Sequence, residues 1–275
     1  MAVTNNTNTS FNNKELSIQL SLSGLSFCIL NTNNSTVETL FTTTYNKKNP
    51  TTVLDTVVDV FNTQKELQQS FDKITVIHEN EWSTLVPKPL FDKEHIADYL
   101  KFNTKILKTD FITFDEISQN ESINVYVPFT NINNYLFDKF GSFTYKHYST
   151  ILIEHILTQE KHNKSPKVYA NINANTFEIV VVTNGKLVLY NTFNYQSKED
   201  FIYYTLFVYE QLQLNPDVIE IVFLGEIDKT SPLYTIAYNY IRHVGFGNRF
   251  DNFQFKNPIE NLHSNFTLLK SLQCE

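Results

Sequence analysis

The sequence predicts an α/β fold of two lobes in which the same order of strands and helices occurs twice. Two stretches indicate the repeat: residues 20–27 (Leu-Ser-Leu-Ser-Gly-Leu-Ser-Phe) and residues 170–177 (Ala-Asn-Ile-Asn-Ala-Asn-Thr-Phe). Each joins two short apolar runs through a polar turn. A third strand-like run follows, and then a segment whose apolar residues have the spacing of a helix. Residues 218–224 have the continuous hydrophobicity of a strand buried on both faces of a parallel sheet.

Elements of the first lobe are expected over residues 14–147, after a disordered N-terminus at residues 1–13. Two prolines, Pro87 and Pro89, hold their segment in extended or turn geometry. Apolar runs predict strands at 16–22, 25–30, 37–44, 74–78, 123–127 and 142–147, and helical spacing predicts helices after Pro50, around 96–100 and at 131–140.

The second lobe is expected over residues 148–275 and includes a C-terminal tail. Asn184-Gly185 is a hairpin signal, and Ser197 with Asp200 can form a capping box at the start of a helix. The predicted helices are 148–158, one that begins after Ser197, and 232–243; the predicted strands are 167–172, 177–183, 186–193, 218–224 and one after Gly245.

Composition allows a large core and argues against several functional classes. Of the 275 residues, 41% are hydrophobic, and the formal net charge is −7. Nucleic-acid binding needs clustered basic residues, which this acidic chain lacks. No apolar run reaches the roughly 18 residues of a membrane span, and residues 1–13 do not resemble a signal peptide. We therefore expect a cytoplasmic protein with neither a nucleic-acid partner nor a membrane span.

The two polar turns resemble the phosphate loops of the actin-like ATPases, which include sugar kinases, Hsp70 and the PilM-type pilus-assembly ATPases. The resemblance implies two ribonuclease-H-like lobes in the actin-like ATPase arrangement. In that superfamily each loop reads roughly Asp-x-Gly-x-x-x-Thr/Ser/Lys. Here Ser21 and Asn171 stand at the acid position, and Ser23 and Asn173 at the glycine position. The phosphate loops are therefore degenerate.

Residues 83–92 and 186–224 carry a second resemblance, to a Bacteroidetes family known as domain of unknown function 3822. This likeness extends from about residue 14 to the end of the chain. A family without an assigned activity implies no catalytic residues for this sequence.

The actin-like resemblance implies a nucleotide cleft between the lobes. Gly225 ends the apolar stretch that matches the adenosine motif, and Glu226 follows where that motif has a second glycine. A neutral side chain at the acid positions cannot supply the charge that Mg²⁺ needs. We expect no catalytic residue, no metal and no resident cofactor, with ATP binding as the alternative. The candidate cleft residues are Ser21, Ser23, Ser26, Asn171, Asn173, Thr176 and Gly225.

The other residues that could bind a metal or take part in catalysis have ordinary structural explanations. His78-Glu79 is not followed by a second histidine at the spacing of a zinc-binding pair. Asp115-Glu116 is expected in a solvated loop, and Cys28 in an apolar strand. Cys274, next to the end of the chain, is expected at a frayed terminus.

Three functional hypotheses follow. The first is a non-catalytic pseudo-ATPase that binds another cytoplasmic protein or copies of itself; residues 201–209 and 82–91 could dock a partner, although burial explains their aromatic residues as well. The alternative is a divergent nucleotide-binding protein that uses the cleft without efficient hydrolysis. An enzyme with an unrelated site is a third, less favoured class.

Overall fold

The computed structural model describes residues 12–46, 50–102, 104–107 and 109–273. Residues 1–11 of the expected disordered N-terminus, and Cys274, lie outside the described residues. The strands are β1 (Lys14–Leu20), β2 (Gly24–Asn31), β3 (Thr36–Thr44), β4 (Lys73–His78), β5 (Ser83–Pro87), β6 (Thr113–Ile117), β7 (Ser122–Tyr126), β8 (Thr144–His147), β9 (Lys167–Ile172), β10 (Thr176–Thr183), β11 (Lys186–Asn194), β12 (Ile221–Gly225), β13 (Val244–Phe246) and β14 (Gln254–Phe255). The helices are α1 (Pro50–Thr63), α2 (Thr130–Phe140), α3 (Tyr148–Gln159), α4 (Lys198–Gln211), α5 (Pro232–Tyr240) and α6 (Phe266–Lys270).

These strands form three sheets. The largest has six strands in the order β14-β3-β2-β1-β4-β8, and the second has five in the order β11-β10-β9-β12-β13. A small sheet, β5-β7-β6, is inserted between β4 and α2 in the sequence. Among the described residues, no helix is both long enough and apolar enough to cross a bilayer.

The two large sheets are built alike, which confirms the predicted repeat. In each, an antiparallel hairpin is followed by a third antiparallel strand, and a later strand pairs in parallel with the first. Both sheets also have a bulge at the equivalent place: Glu38 of β3 is the extra residue opposite Ile29 and Leu30, and Val188 of β11 is the extra residue opposite Val181 and Val182. Matching irregularities of this kind support an equivalence of whole hairpins rather than of turns alone.

The register of the repeat differs from the sequence-based alignment by two residues. That alignment matched Leu20 with Ala170, whereas the last paired residues of the hairpins are Leu20 with Leu25 and Ile172 with Phe177. Leu20 is therefore equivalent to Ile172. The prediction was wrong in this respect because side chains alternate with a period of two, so a shift of two residues leaves the inward and outward pattern unchanged.

Local signals place the helices of the second half well. The Ser197 side chain accepts a hydrogen bond from the Asp200 backbone N–H at 3.1 Å, and the Asp200 carboxylate accepts one from the Ser197 N–H at 3.0 Å. This complete capping box satisfies donors that would otherwise be orphaned at the first turn. The helix α4 accordingly begins at Lys198, directly after the predicted cap.

The small sheet contains two departures from the predictions. The expected helix around residues 96–100 is a 3₁₀ helix, Lys93–Tyr99, with a kink at His95. Asp115 lies in β6 rather than in a solvated loop, and it accepts hydrogen bonds from the His147 N–H and the Thr150 hydroxyl, both at 2.8 Å. Burial raises the pKa of Asp115 to about 6. The Asp115 carboxyl group thus bonds to other groups of the protein instead of facing solvent in a loop.

The C-terminal tail returns to the first sheet. Residues Gln254 and Phe255 pair with β3, and Leu268 and Leu269 of α6 are buried in a cluster that includes Cys28 of β2. Phe266 of α6 packs instead in the cluster formed by α3, β9, β10 and β12. The proposed lobe boundary at residues 147 and 148 stays a prediction, but α6 contacts both large sheets.

We predict that Leu269→Ala lowers the free energy of unfolding by about 2–5 kcal/mol, since it opens a cavity in a closed core. Leu269 is 0% exposed, whereas Leu262 in the same tail is 49% exposed. The matched control Leu262→Ala should cost less than about 1 kcal/mol. Chemical denaturation followed by circular dichroism measures both. Equal small losses would show that α6 is not part of the core.

Candidate functional site

The first polar turn, between β1 and β2, is closed by its own groups. The Ser21 N–H donates to the Gly24 carbonyl at 2.9 Å, and the Ser21 hydroxyl contacts that carbonyl at 3.2 Å. The same hydroxyl accepts from the Ser23 N–H at 3.2 Å. The Tyr45 hydroxyl lies 2.9 Å from the carbonyl oxygens of both Ser21 and Gly24. Ser21 and Ser23 therefore come together, with their polar atoms engaged inside the turn.

The two predicted loop-closing hydroxyls do not take part in equivalent contacts. Ser26 lies on β2, and its hydroxyl donates to Thr42 on β3 at 3.1 Å. Thr176 is the first residue of β10, and its carbonyl accepts from the Asn173 N–H at 2.9 Å. The Thr176 backbone closes the second turn, whereas the Ser26 hydroxyl bonds to the neighbouring strand β3.

The second turn is organised around a buried carboxyl group, Glu178. The Asn171 side-chain amide donates to Glu178 Oε2 at 2.8 Å, and that of Asn173 does so at 3.2 Å. The Tyr148 hydroxyl donates to Oε1 at 2.8 Å. Burial raises the pKa of Glu178 to about 8, and the negative charge of Glu79 acts in the same direction. At neutral pH most of this carboxyl is therefore protonated.

The first lobe has a related arrangement. Gln19 is the residue equivalent to Asn171 in the observed register, and its amide donates to Glu79 Oε2 at 2.7 Å. The Gln19 side-chain oxygen accepts from the Thr267 hydroxyl at 2.7 Å. Burial raises the pKa of Glu79, and the negative charge of Glu226 adds to that effect. Each lobe thus pairs a side-chain amide with a glutamate.

Glu79 and Glu226 hold equivalent positions in the two lobes. The Glu79 N–H donates to the Leu20 carbonyl, and the Glu226 N–H donates to the Ile172 carbonyl, both at 2.8 Å. The charge of Glu79 acts on Glu178 and that of Glu226 acts on Glu79, so these carboxyls lie close enough to interact. Glu79 of the first lobe therefore interacts with two carboxyl groups of the second lobe.

Gly225 is required by backbone packing. Its φ of +79° lies in the region that favours glycine, and an added Cβ would lie 2.3 Å from the Ile172 carbonyl oxygen. The same Cβ would be 3.0 Å from Asn171 Oδ1. The structure therefore brings two of the predicted cleft residues, Gly225 and Asn171, into contact.

Sequence reasoning missed Gln19, Glu79 and Glu178. Glu178 had a signal, because it is the single charged residue within the apolar strand β10. A charged side chain at such a position is rarely buried without partners. Gln19 could be found only with the correct register of the repeat.

Metal binding has no support among the described residues, where no group of three or more His, Cys, Asp or Glu side chains is arranged to hold an ion. His78 and His147 are buried, and burial lowers the pKa of each to about 3. The His147 side chain accepts from the Ser149 N–H and caps α3. Both histidines are explained as neutral core residues.

A cavity of about 390 Å³ lies where the small sheet meets the start of α2. Trp82, Phe111 and Phe129 line it, together with Ile106 and Leu107. Trp82 contacts Phe129 edge to face, with ring centroids 5.9 Å apart. None of the seven predicted cleft residues lines this cavity.

Comparison with known proteins identifies the family and the fold. A model of the family described as "Protein of unknown function (DUF3822)" matches residues 4–244, so the chain belongs to that family. The structure is similar to a Bacteroides thetaiotaomicron protein with actin-like ATPase fold and unknown function, with a TM-score of 0.81, 23% identity and 96% of each chain covered. No protein with a curated description matches the sequence.

A second similar structure is the PilM-PilN type IV pilus biogenesis complex, with a TM-score of 0.60 and 10% identity over 95% of this chain and 98% of that chain. These likenesses show that the chain has the actin-like ATPase fold, as the sequence predicted.

We predict that Gly225→Ala lowers the free energy of unfolding more than Gly141→Ala does. Both glycines have positive φ, but an added Cβ at Gly141 meets nothing within 4 Å. Gly141→Ala should therefore cost backbone strain alone, about 1–3 kcal/mol, and Gly225→Ala should cost more than Gly141→Ala because a clash with backbone atoms is added. Denaturant titration compares the two, and equal losses would contradict the close packing.

We also predict that Glu178 makes stability fall as the pH rises. The folded-state pKa of Glu178 is about 8, above the value of about 4.3 in an unfolded chain. The folded protein therefore binds more protons between these values, and its stability decreases through that window. In Glu178→Gln this component disappears, so calorimetry from about pH 6 to pH 9 should show a flatter decline in Tm.

The control for this experiment is Glu210→Gln, which alters an exposed carboxyl on α4. It should retain the wild-type dependence on pH. If Glu178→Gln also retained it, Glu178 would not be the group that titrates.

Proposed function

We propose that this member of the DUF3822 family is a non-catalytic actin-like protein that binds another cytoplasmic protein or a second copy of itself. One observation carries the proposal: both Asn171 and Asn173 donate to the buried carboxyl of Glu178. In the actin-like resemblance this turn is a phosphate loop. Here its side-chain donors are occupied by a carboxyl group of the chain itself.

Electrostatics support the same conclusion. A nucleotide triphosphate is strongly anionic, and Glu79 and Glu226 lie beside the two turns, with their N–H groups bonded to the Leu20 and Ile172 carbonyls. The position of the loop aspartate is neutral in either alignment of the first lobe. It is Ser21 in the sequence-based alignment and Gln19 in the observed register. Amide and hydroxyl groups do not supply the charge that holds Mg²⁺ beside phosphate.

Binding to protein is supported by surfaces outside the turns. The cavity beside α2 combines aromatic side chains with exposed Leu107 and Phe111, the composition found at the centre of many protein interfaces. The similar PilM structure was solved as a complex with PilN. That likeness concerns the fold, and it supports the proposal only by showing that the fold is compatible with a binding role.

The alternative function is nucleotide binding without efficient hydrolysis. Serine, threonine and asparagine side chains can donate hydrogen bonds to phosphate oxygens. Protonation of Glu178 at neutral pH also removes one negative charge from the region. The residues that would line this site are Ser21, Ser23, Ser26, Asn171, Asn173, Thr176 and Gly225.

We predict that ATP, ADP and GTP leave the Tm of the protein unchanged, with or without Mg²⁺. A site held at about 100 times its dissociation constant adds about 2.7 kcal/mol of stability. For a chain of this size, that raises the Tm by about 5–10 °C. Thermal shift with about 5 mM nucleotide, followed by calorimetric titration, makes the measurement.

A Tm increase of that size would contradict the proposal if it were lost in Asn173→Ala and kept in Asn175→Ala. Asn175 is an exposed residue of the same turn and serves as the matched control. This pattern would establish the nucleotide-binding alternative.

A further inference from the structure

The cavity of about 390 Å³ beside α2 has walls that are held by hydrogen bonds within the protein. The Asn80 side chain, which is 9% exposed, accepts from the Trp82 N–H at 2.8 Å and donates to the Val127 carbonyl at 3.0 Å. The Val127 N–H donates in turn to the Trp82 carbonyl at 3.0 Å. One buried amide thus fixes two lining residues, and this part of the cavity is formed without a ligand.

Aromatic and aliphatic side chains make up much of the cavity. Phe129 is 2% exposed and lies edge to face against Trp82, and Ile106 is half-buried in the apolar cluster of the small sheet. Leu107 and Phe111 also line the cavity, but they are 62% and 51% exposed. An occupant that fills the cavity and covers both of these side chains is larger than the cavity itself. This favours a segment of a protein chain over a small molecule.

The cavity also has a positively charged side. Lys105 lines it and, among the described residues, is without an ion-pair partner. Thr130, the first residue of α2, lines it as well, and no side chain caps that end of the helix. A helix start carries partial positive charge and free N–H groups. The carboxylate of Asp110, the one acidic lining residue, already accepts from the Leu107 N–H at 2.7 Å.

We propose that this cavity binds the C-terminus of a partner protein whose last residues are apolar. The last side chain packs against the aromatic rings of Trp82, Phe111 and Phe129, and the terminal carboxylate lies beside Lys105 and the start of α2. In a C-terminal residue the carboxylate and the side chain share one Cα, so both fit into a space of about 390 Å³. Capture of a terminal carboxylate by backbone N–H groups is an established mode of peptide recognition.

The inference rests on the proposed function, because it names the chemistry of the protein partner. It does not involve the two polar turns. A rise in Tm with nucleotide would contradict the proposed function and leave the cavity untested by that result, whereas the experiment below examines the cavity alone. The two failures are therefore distinguishable.

Trp82 is the single tryptophan of the chain, so its fluorescence reports on the cavity directly. The full chain is titrated with N-acetyl-leucyl-phenylalanine, which has a free carboxyl group, and separately with its C-terminal amide. We expect a saturable change in Trp82 emission with the acid. The amide should bind at least about fivefold more weakly, because it lacks the charge that the helix start and the lysine attract.

Three variants separate charge from packing. Lys105→Gln should lose most of the preference for the acid and keep the affinity for the amide. Phe111→Ser should weaken the binding of both peptides, because it removes an apolar wall. The matched control is Lys101→Gln, which alters an exposed lysine that pairs with Asp98 and lies outside the cavity lining. This control should bind both peptides like the wild type.

Several results would overturn the proposal. One is an unchanged Trp82 emission with both peptides up to about 5 mM. Another is equal affinity of the wild-type protein for the acid and the amide. A third is loss of the preference in Lys101→Gln as complete as in Lys105→Gln. Finally, a peptide amide with aspartate before its phenylalanine could bind as tightly as the free acid, and the occupant would then be an internal acidic segment instead of a C-terminus.

Discussion

The architecture depends on one packing constraint, which is that the inner faces of both large sheets are covered by the same two helices. Residues of α3 pack in the cluster that contains β2 and β4, and also in the cluster that contains β9, β10 and β12. The short helix α6 does the same, with Leu269 in the first cluster and Phe266 in the second. Burial of apolar side chains on both sides of this shared layer fixes the sheets relative to one another.

The same two helices also supply the polar contacts of the candidate site. Tyr148 at the start of α3 donates to Glu178 of the second lobe, and Thr267 of α6 donates to Gln19 of the first. Each hydroxyl satisfies a polar group that would be costly to bury alone. The helices that pack between the sheets therefore also hold the polar residues near the turns. Glu178 and Glu79 have hydrogen-bond partners within the protein itself.

Sequence patterns predicted what is local and missed what is long-range. The capping box of Ser197 and the Asn184-Gly185 turn were placed correctly because each depends on residues a few positions apart. The return of residues 254–273 to the first sheet, like the pairing of β5 and β6 with β7, is set by distant partners and leaves little periodic signal. Part of the candidate site was missed for the same reason. Gln19 can be identified only from the correct hairpin register, and the alternation of apolar residues fits that register and one shifted by two residues equally well.

The repeat places two similar lobes in one chain, and the C-terminal tail makes them different. It pairs with part of the β3 edge and provides the Thr267 hydroxyl to Gln19 in the first lobe, whereas Tyr148 of α3 provides a hydroxyl to Glu178 in the second lobe. Among the described residues, the tail pairs with the β3 edge, and the equivalent edge strand β11 pairs with β10 alone. The two lobes therefore share one strand order but present different edges.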